Sequence, residues 1–200
     1  YVACCDKSVF DLITSKGGKA IMTDPNLPSG TDRVFAAFNL LQNKNDYESI
    51  INLQGDMPLI EPSTIQSVNI PLKNGYDIGT IATDVSIDEE TNENITKVSI
   101  DWKISEVIGN SLDFYKSSKK QILNIYQHVG IYSFKPIALR KFVSLPPSKN
   151  EIDKKLEQLR ALDAGVNIGI TYVEKVPISV DTQEDLMLIE NILKIRNENK

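Results

Sequence analysis

The sequence predicts an α/β fold with parallel strands at its core. Two observations lead there. The chain opens with a strand–helix–strand pattern, a unit that implies a right-handed crossover and parallel pairing. Further on, the isoleucine-rich run Ser49-Ile50-Ile51-Asn52-Leu53 ends in Gln54-Gly55-Asp56-Met57-Pro58. A short apolar run bounded by turn residues reads as a buried strand. Ligands of open α/β sheets bind just past the carboxyl ends of such strands, where Asp56 stands.

Taken in order, Tyr1 to Cys5 is a strand ending at Asp6, and Ser8 caps a helix through Val9, Phe10, Leu12 and Ile13. Gly17-Gly18 stops that helix, and Lys19 to Thr23 is the second strand. A Pro/Gly/Ser loop then enters a helix at Ser29-Gly30-Thr31-Asp32-Arg33, with Val34, Ala37, Phe38 and Leu41 at helical spacing. The backbone N–H groups of such a helix start favour an anion, and Arg33 adds a positive fork. A plain N-cap followed by a solvated Asp-Arg pair is the alternative.

After Asp56, a helix runs from Ser63 to Val68 and ends before Pro71. Tyr76 to Thr83 is a strand, residues 86–95 are a loop or short helix, and Thr96 to Ile100 is again a strand. Ser105 to Tyr115 reads as a hairpin turning at Gly109-Asn110. Gln127 to Phe134 alternates as a strand carrying His128, the single histidine, and a helix over Ala138 to Val143 follows. Glu151 to Asp163 reads as one helix stopped by Gly165, and Ile168 to Val173 as a strand. Val176 to Asp181 repeats the strand-then-Asp logic. Thr182 and Asp185 form a box like a helix cap, and Leu186, Ile189, Ile192 and Leu193 form a buried stripe.

The 200 residues suffice for one domain with its own core. A net charge of -5 argues against a general nucleic-acid binder, which shows a basic face. No apolar run is long enough to span a membrane, and no signal-peptide pattern opens the chain. The two cysteines, Cys4 and Cys5, are adjacent, which points away from a disulfide framework and toward a reducing cytoplasm. The start at Tyr1 reads as mid-strand, so upstream residues are expected.

Two carboxylates at strand ends, Asp56 and Asp181, suit Mg²⁺, which takes one or two carboxylates together with waters and substrate phosphates. Chemistry on a nucleoside triphosphate needs such an ion. A structural Asp capping a turn is the alternative for Asp56. No Ser-His-Asp pattern and no G-x-x-x-x-G-K-[ST] loop competes for the role.

Five segments in this order, Ser29-Gly30-Thr31-Asp32-Arg33, Asn52-Leu53-Gln54-Gly55-Asp56-Met57-Pro58, His128-Val129-Gly130-Ile131-Tyr132, Leu156-Glu157-Gln158-Leu159-Arg160 and Val180-Asp181-Thr182-Gln183-Glu184-Asp185-Leu186, resemble the 3-deoxy-manno-octulosonate cytidylyltransferase family, the CMP-Kdo synthetases. The resemblance implies a three-layer α/β/α, Rossmann-like nucleotide-diphospho-sugar transferase fold with a mixed, mostly parallel sheet. It implies one domain over residues 1–200 that lacks its N-terminal strand and triphosphate loop. The region around 97–145 would carry dimerisation and sugar contacts. The implied reaction joins CTP and Kdo into CMP-Kdo and pyrophosphate for lipopolysaccharide synthesis, in a cytoplasmic homodimer. By matching motif, Asp56 and Asp181 would be the catalytic carboxylates and would hold Mg²⁺. Gln54, Ser29, Gly30, Thr31 and Arg33 would line the nucleotide pocket. His128, Tyr132, Glu157 and Gln158 would bind the sugar acid. Three features depart from the family pattern. An Arg/Lys segment resembling P-A-R-x-x-S-x-R-L-P-x-K is absent, Met57 stands where a Glu is usual, and Phe114-Tyr115-Lys116-Ser117 replaces Tyr-Phe-Ser-Arg. The rival readings are a cytidylyltransferase for another acidic sugar, such as sialic acid, and a non-catalytic homologue.

Overall fold

The computed structural model describes residues 1–102, 107–116, 124–175 and 178–198. Val2–Cys4 (β1) and Ala20–Met22 (β2) pair in parallel, Val2 opposite Ala20, with Lys7–Ser15 (α1) between them in the chain. This is the expected strand–helix–strand unit. Its cap is Asp6 rather than Ser8: the Asp6 carboxylate accepts from the Ser8 backbone N–H at 2.7 Å. Gly30–Asn39 (α2) starts at Ser29 as expected.

Ile50–Asn52 (β3) begins the larger sheet, and two short helices follow it, Pro62–Ser67 (α3) and Ile70–Lys73 (α4). The helix α3 ends before Pro71, as expected, and Pro71 belongs to the next helix. It sits in the first turn of α4, where its missing N–H is not needed. Ile78–Asp84 (β4), Ile87–Glu90 (α5), Lys97–Asp101 (β5), Ile108–Tyr115 (β6) and Ile125–Phe134 (β7) come next. Pro136–Ser144 (α6), Lys149–Lys154 (α7), Leu159–Asp163 (α8), Ile168–Tyr172 (β8) and Gln183–Glu198 (α9) complete the chain.

The larger sheet has the order β3-β7-β4-β8-β6-β5, and β7 also pairs with β5. The strands β4, β7, β5, β6 and β8 therefore close on themselves as a ring. The α/β class and the mixed sheet are as expected, but the share of parallel pairs is not. Among the described pairings only β1–β2 and β4–β8 run parallel. Part of the reason is local. A parallel crossover needs roughly a dozen residues or more. The connection 102–107, between β5 and β6, is shorter, so those two strands reverse; β7 runs antiparallel to β3, β4 and β5 through pairings between segments distant in the chain.

Three other expectations are corrected. Gly109 and Asn110 make no turn: they lie inside β6, paired with Ile170 and Gly169. Residues 105 and 106 of that expected hairpin lie outside the described residues. The helix expected over Glu151 to Asp163 is two helices, parted where Lys155 adopts a left-handed φ of 54°. The α9 stripe is mostly solvent-facing: Ile189 is buried, but Leu186 and Leu193 are exposed.

The main core forms between the sheet and α6 to α8, with Ile78, Ile168, Ile170, Leu139, Phe142 and Leu159 buried. Full burial of each such side chain contributes about 1.5–3 kcal/mol. A second cluster on the other side gathers Met57, Val68, Ile81, Val129 and Ile131. Close approach there depends on Gly79. A Cβ at that position would lie 2.2 Å from the Val68 carbonyl oxygen, so only glycine lets the end of α3 rest on β4.

Candidate active site

The site is built from the start of α2, the loop after β3, the middle of β7 and the loop between α7 and α8. Ser29 caps α2, its hydroxyl accepting from the Asp32 N–H at 3.1 Å. The same Ser29 Oγ lies 2.7 Å from Asp32 Oδ2 and 2.7 Å from Glu157 Oε1. Thr31 Oγ1 donates to Glu157 Oε2 at 2.9 Å and accepts from buried Asn52 Nδ2 at 3.2 Å. Gly30 completes this group: a Cβ there would meet Gln54 Nε2 at 3.1 Å, so the Gln54 amide lies across the Gly30 backbone. Ser29, Gly30, Thr31 and Gln54 are thus brought together as the sequence suggested. Arg33 lines one cavity together with Gly30 and Gln54, and its guanidinium donates to Thr23 Oγ1 at 2.7 Å and to the Asp24 carbonyl at 3.1 Å. This cavity of about 590 Å³ runs between Tyr1, Val2 and Ala3 on one wall and Ile51, Leu53 and Gly55 on the other.

Tyr132, Glu157 and Gln158 meet Thr31 and Phe142 in a narrow cleft of about 10 Å³, room for one water. Burial, with the Glu157 charge beside it, pushes the Tyr132 hydroxyl well above its ordinary pKa. His128 lies next to Tyr132, ring centroids 5.3 Å apart, and is itself buried. Burial brings its pKa down to about 3, so the ring is neutral at physiological pH. The four residues expected on the sugar side are therefore neighbours. Glu157 joins them to the α2 group.

Neither expected aspartate caps a strand. Asp56 follows β3 by four residues in a turn, and the described residues before Asp181 are not in a strand; 176 and 177 lie outside the described residues. The fold nevertheless joins the two loops. The Val180 N–H donates to the Asp56 carbonyl oxygen at 2.8 Å, which sets Asp181 beside the Asp56 turn. Asp56 Oδ1 is buried and has no hydrogen-bond partner among the described residues. A buried carboxylate oxygen left without a partner is costly unless a cation or water completes it. Asp181 is exposed, with Ser179 Oγ donating to its Oδ2 at 2.7 Å. Two carboxylates with open oxygens fit a hard cation that keeps most of its waters. Among the described residues no cluster of three or more Cys, His, Asp or Glu competes with this pair.

Sequence reading missed several supporting residues. Arg160 forms a two-pronged pair with Glu151, Nη2–Oε1 at 2.5 Å and Nε–Oε2 at 2.8 Å, and its guanidinium also stacks over Phe142. Burial works against the Glu151 charge, but the Arg160 fork holds its pKa below the ordinary value. The pair ties α7 to α8 and so fixes the loop bearing Glu157. Spacing of nine residues across a left-handed break gives no helical signal. Lys97 is fully buried, its ammonium donating to the carbonyls of Asn92 and Lys116. Met57 is a core residue at 6% exposure, which accounts for an apolar side chain after Gly-Asp.

A family model described as cytidylyltransferase matches residues 1–168. A 3-deoxy-manno-octulosonate cytidylyltransferase of Paramagnetospirillum magneticum is 39% identical over 196 residues, 96% of this chain and 80% of the relative. The chain belongs to the 3-deoxy-manno-octulosonate cytidylyltransferase family. A second member, from Rickettsia rickettsii, is 43% identical over 201 residues, covering 98% of this chain and 81% of the relative. Among solved structures, a CMP:2-keto-3-deoxy-manno-octonic acid synthetase complexed with CTP superposes with a TM-score of 0.84 at 28% identity, over 96% of this chain and 78% of that one. An apo UDP-glucose pyrophosphorylase superposes at 0.60 with 16% identity, over 96% and 68%, a likeness of fold alone. Membership of the cytidylyltransferase family thus rests on nearly the whole chain, and the α2 start, the Asp56 turn and the Glu157 loop all lie inside the matched region.

Proposed function

We propose that this chain transfers the cytidylyl group of CTP to 3-deoxy-manno-octulosonate, giving CMP-Kdo and pyrophosphate. The observation that carries the reading is the Glu157 carboxylate, which bonds Ser29 and Thr31 of the helix start and lines the cleft of Tyr132 and Gln158. One side chain thereby couples a nucleotide side to a sugar side. The relatives described above bear the manno-octulosonate name, which favours that sugar over sialic acid.

In this reading Gln54 and the α2 start receive the cytidine, and Arg33 shapes the neighbouring loop through Thr23 and Asp24. His128, Tyr132, Glu157 and Gln158 orient the sugar acid. Its anomeric hydroxyl oxygen bonds to the α-phosphorus as the bond to pyrophosphate breaks, and the hydroxyl proton leaves to solvent. Asp56 and Asp181 would hold Mg²⁺, which supplies charge neutralisation at the α-phosphate and at the departing pyrophosphate. The protein's own contribution is positioning and a fixed polar surround. We place the reaction in the cytoplasm, in lipopolysaccharide synthesis, and in a homodimer. Among the described residues no helix is long and apolar enough to cross a membrane.

The test is pyrophosphate release by the purified protein with CTP and Mg²⁺, run with Kdo and, separately, with sialic acid. Release with Kdo alone is expected. Release with sialic acid alone, or with neither, overturns the reading.

A further inference from the structure

Thr80 lies in β4 with no exposed surface, opposite an irregularity in β7, where the register steps from Thr80–Tyr132 to Ile81–Val129. The step turns two β7 carbonyls toward one hydroxyl. Thr80 Oγ1 is 2.7 Å from the Ile131 carbonyl oxygen and 3.2 Å from that of Val129. It is also 3.0 Å from His128 Nε2.

A threonine hydroxyl has one proton, and carbonyl oxygens only accept. Were that proton given to Nε2, the Thr80 oxygen would face the Ile131 carbonyl at 2.7 Å with no hydrogen between them. The proton therefore goes to a carbonyl, and Nε2 must carry its own hydrogen and donate it to Thr80. In a neutral imidazole the other nitrogen is then a bare acceptor. Among the described residues the ring's one hydrogen bond runs through Nε2, while its faces and edges meet Phe114 and Tyr132 at centroid distances of 5.0 and 5.3 Å.

We propose that Thr80 is a positioning residue that locks His128 in its Nε2–H tautomer and leaves Nδ1 as a lone-pair acceptor for a hydroxyl group of the sugar acid. The hydroxyl half of this rests on the sugar-side assignment of His128 given above; the tautomer half does not. The consequence for specificity is definite. His128 recognises a donor on the sugar, not its carboxylate, because a neutral acceptor nitrogen repels an anion.

His128 is the single histidine in this sequence, so ¹⁵N-histidine labelling gives one pair of ring nitrogen signals. The expected spectrum at neutral pH shows a protonated Nε2 and a bare Nδ1, assigned through couplings to the ring carbon-bound protons. Thr80→Ser keeps that pattern, Thr80→Val shifts it toward the other tautomer or a mixture, and Thr80→Val raises KM for Kdo several-fold more than KM for CTP. A wild-type ring with Nδ1 protonated overturns the proposal, as does an unchanged tautomer in Thr80→Val. Should Thr80→Val fail to fold, the wild-type and Thr80→Ser spectra still decide. Addition of Kdo is expected to move the Nδ1 signal. An unmoved signal with the tautomer intact overturns the hydroxyl contact and leaves the Thr80–His128 relation standing.

Discussion

The backbone N–H of Val180 donates to the carbonyl oxygen of Asp56 across 2.8 Å, joining two loops that are more than a hundred residues apart in the chain. This bond sets Asp181, the next residue after Val180, beside the Asp56 turn. A backbone bond is insensitive to the side chains on either side. Removal of one carboxylate charge should therefore leave the junction intact.

Asp56→Asn and Asp181→Asn are each expected to lower turnover by about 10²–10³-fold, the scale set by loss of one well-placed electrostatic group. Both should fold, and Asp56→Asn should unfold no more easily than the parent, since Oδ1 has no partner to lose among the described residues. Steady-state kinetics over a Mg²⁺ series, with thermal unfolding alongside, check this. Unchanged Mg²⁺ dependence in Asp56→Asn would sink the metal assignment.

Glu157→Gln keeps a carbonyl oxygen for one of Ser29 and Thr31 but loses the charge that serves both. Charge-assisted hydrogen bonds contribute about 1.5–3 kcal/mol. The variant should lose about 10–100-fold in kcat/KM for both CTP and Kdo. A loss confined to one substrate would show that Glu157 does not couple the two sides.

Arg160→Ala strands Glu151 in a site where both side chains are about one-tenth exposed, 10% and 12%. Breaking such a pair costs roughly 3–5 kcal/mol. Urea unfolding of Arg160→Ala, of Glu151→Ala and of the double variant measures it. The double variant should be clearly more stable than the sum of the single losses implies.

Stability should fall in mild acid through His128. The folded pKa of about 3 lies below the unfolded value of 6.5, so the unfolded chain binds the extra proton first. The contribution is complete above pH 6.5 and is lost as pH drops from there toward 3. Unfolding midpoints at a series of pH values should show this slope, and His128→Gln should flatten it. An equally steep slope in the variant would assign it elsewhere.

What the sequence disclosed follows the range of the forces involved. The Ser29 cap, the existence of the strand through Ile50 and Ile51 and the strand through His128 are set by neighbours a few residues away, and all were legible. Strand direction was not, because β7 is set antiparallel to β3, β4 and β5 by pairing with segments far off in the chain. The α7–α8 break turns on one left-handed residue, Lys155, with no glycine to announce it. The exposed face of α9 is invisible to periodicity, which finds a stripe but not what covers it. Around the candidate site, Ser29, Gly30, Thr31, Gln54, Tyr132 and Glu157 were singled out by motif, and the fold brings them close together. The roles of Thr80, Asn52 and the Glu151–Arg160 fork were not legible, since each acts by tertiary contact with another residue.

The β1–α1–β2 unit pairs with no strand of the larger sheet among the described pairings, and α1 has no buried residue. Its amides should therefore exchange with solvent through an opening of their own, well before the ring of β4 to β8 lets go. Gly30, which follows this unit in sequence, would sense that breathing directly. Deuterium uptake in β1 and β2 would thus report on how often the nucleotide side of the site comes apart while the sugar side stays formed.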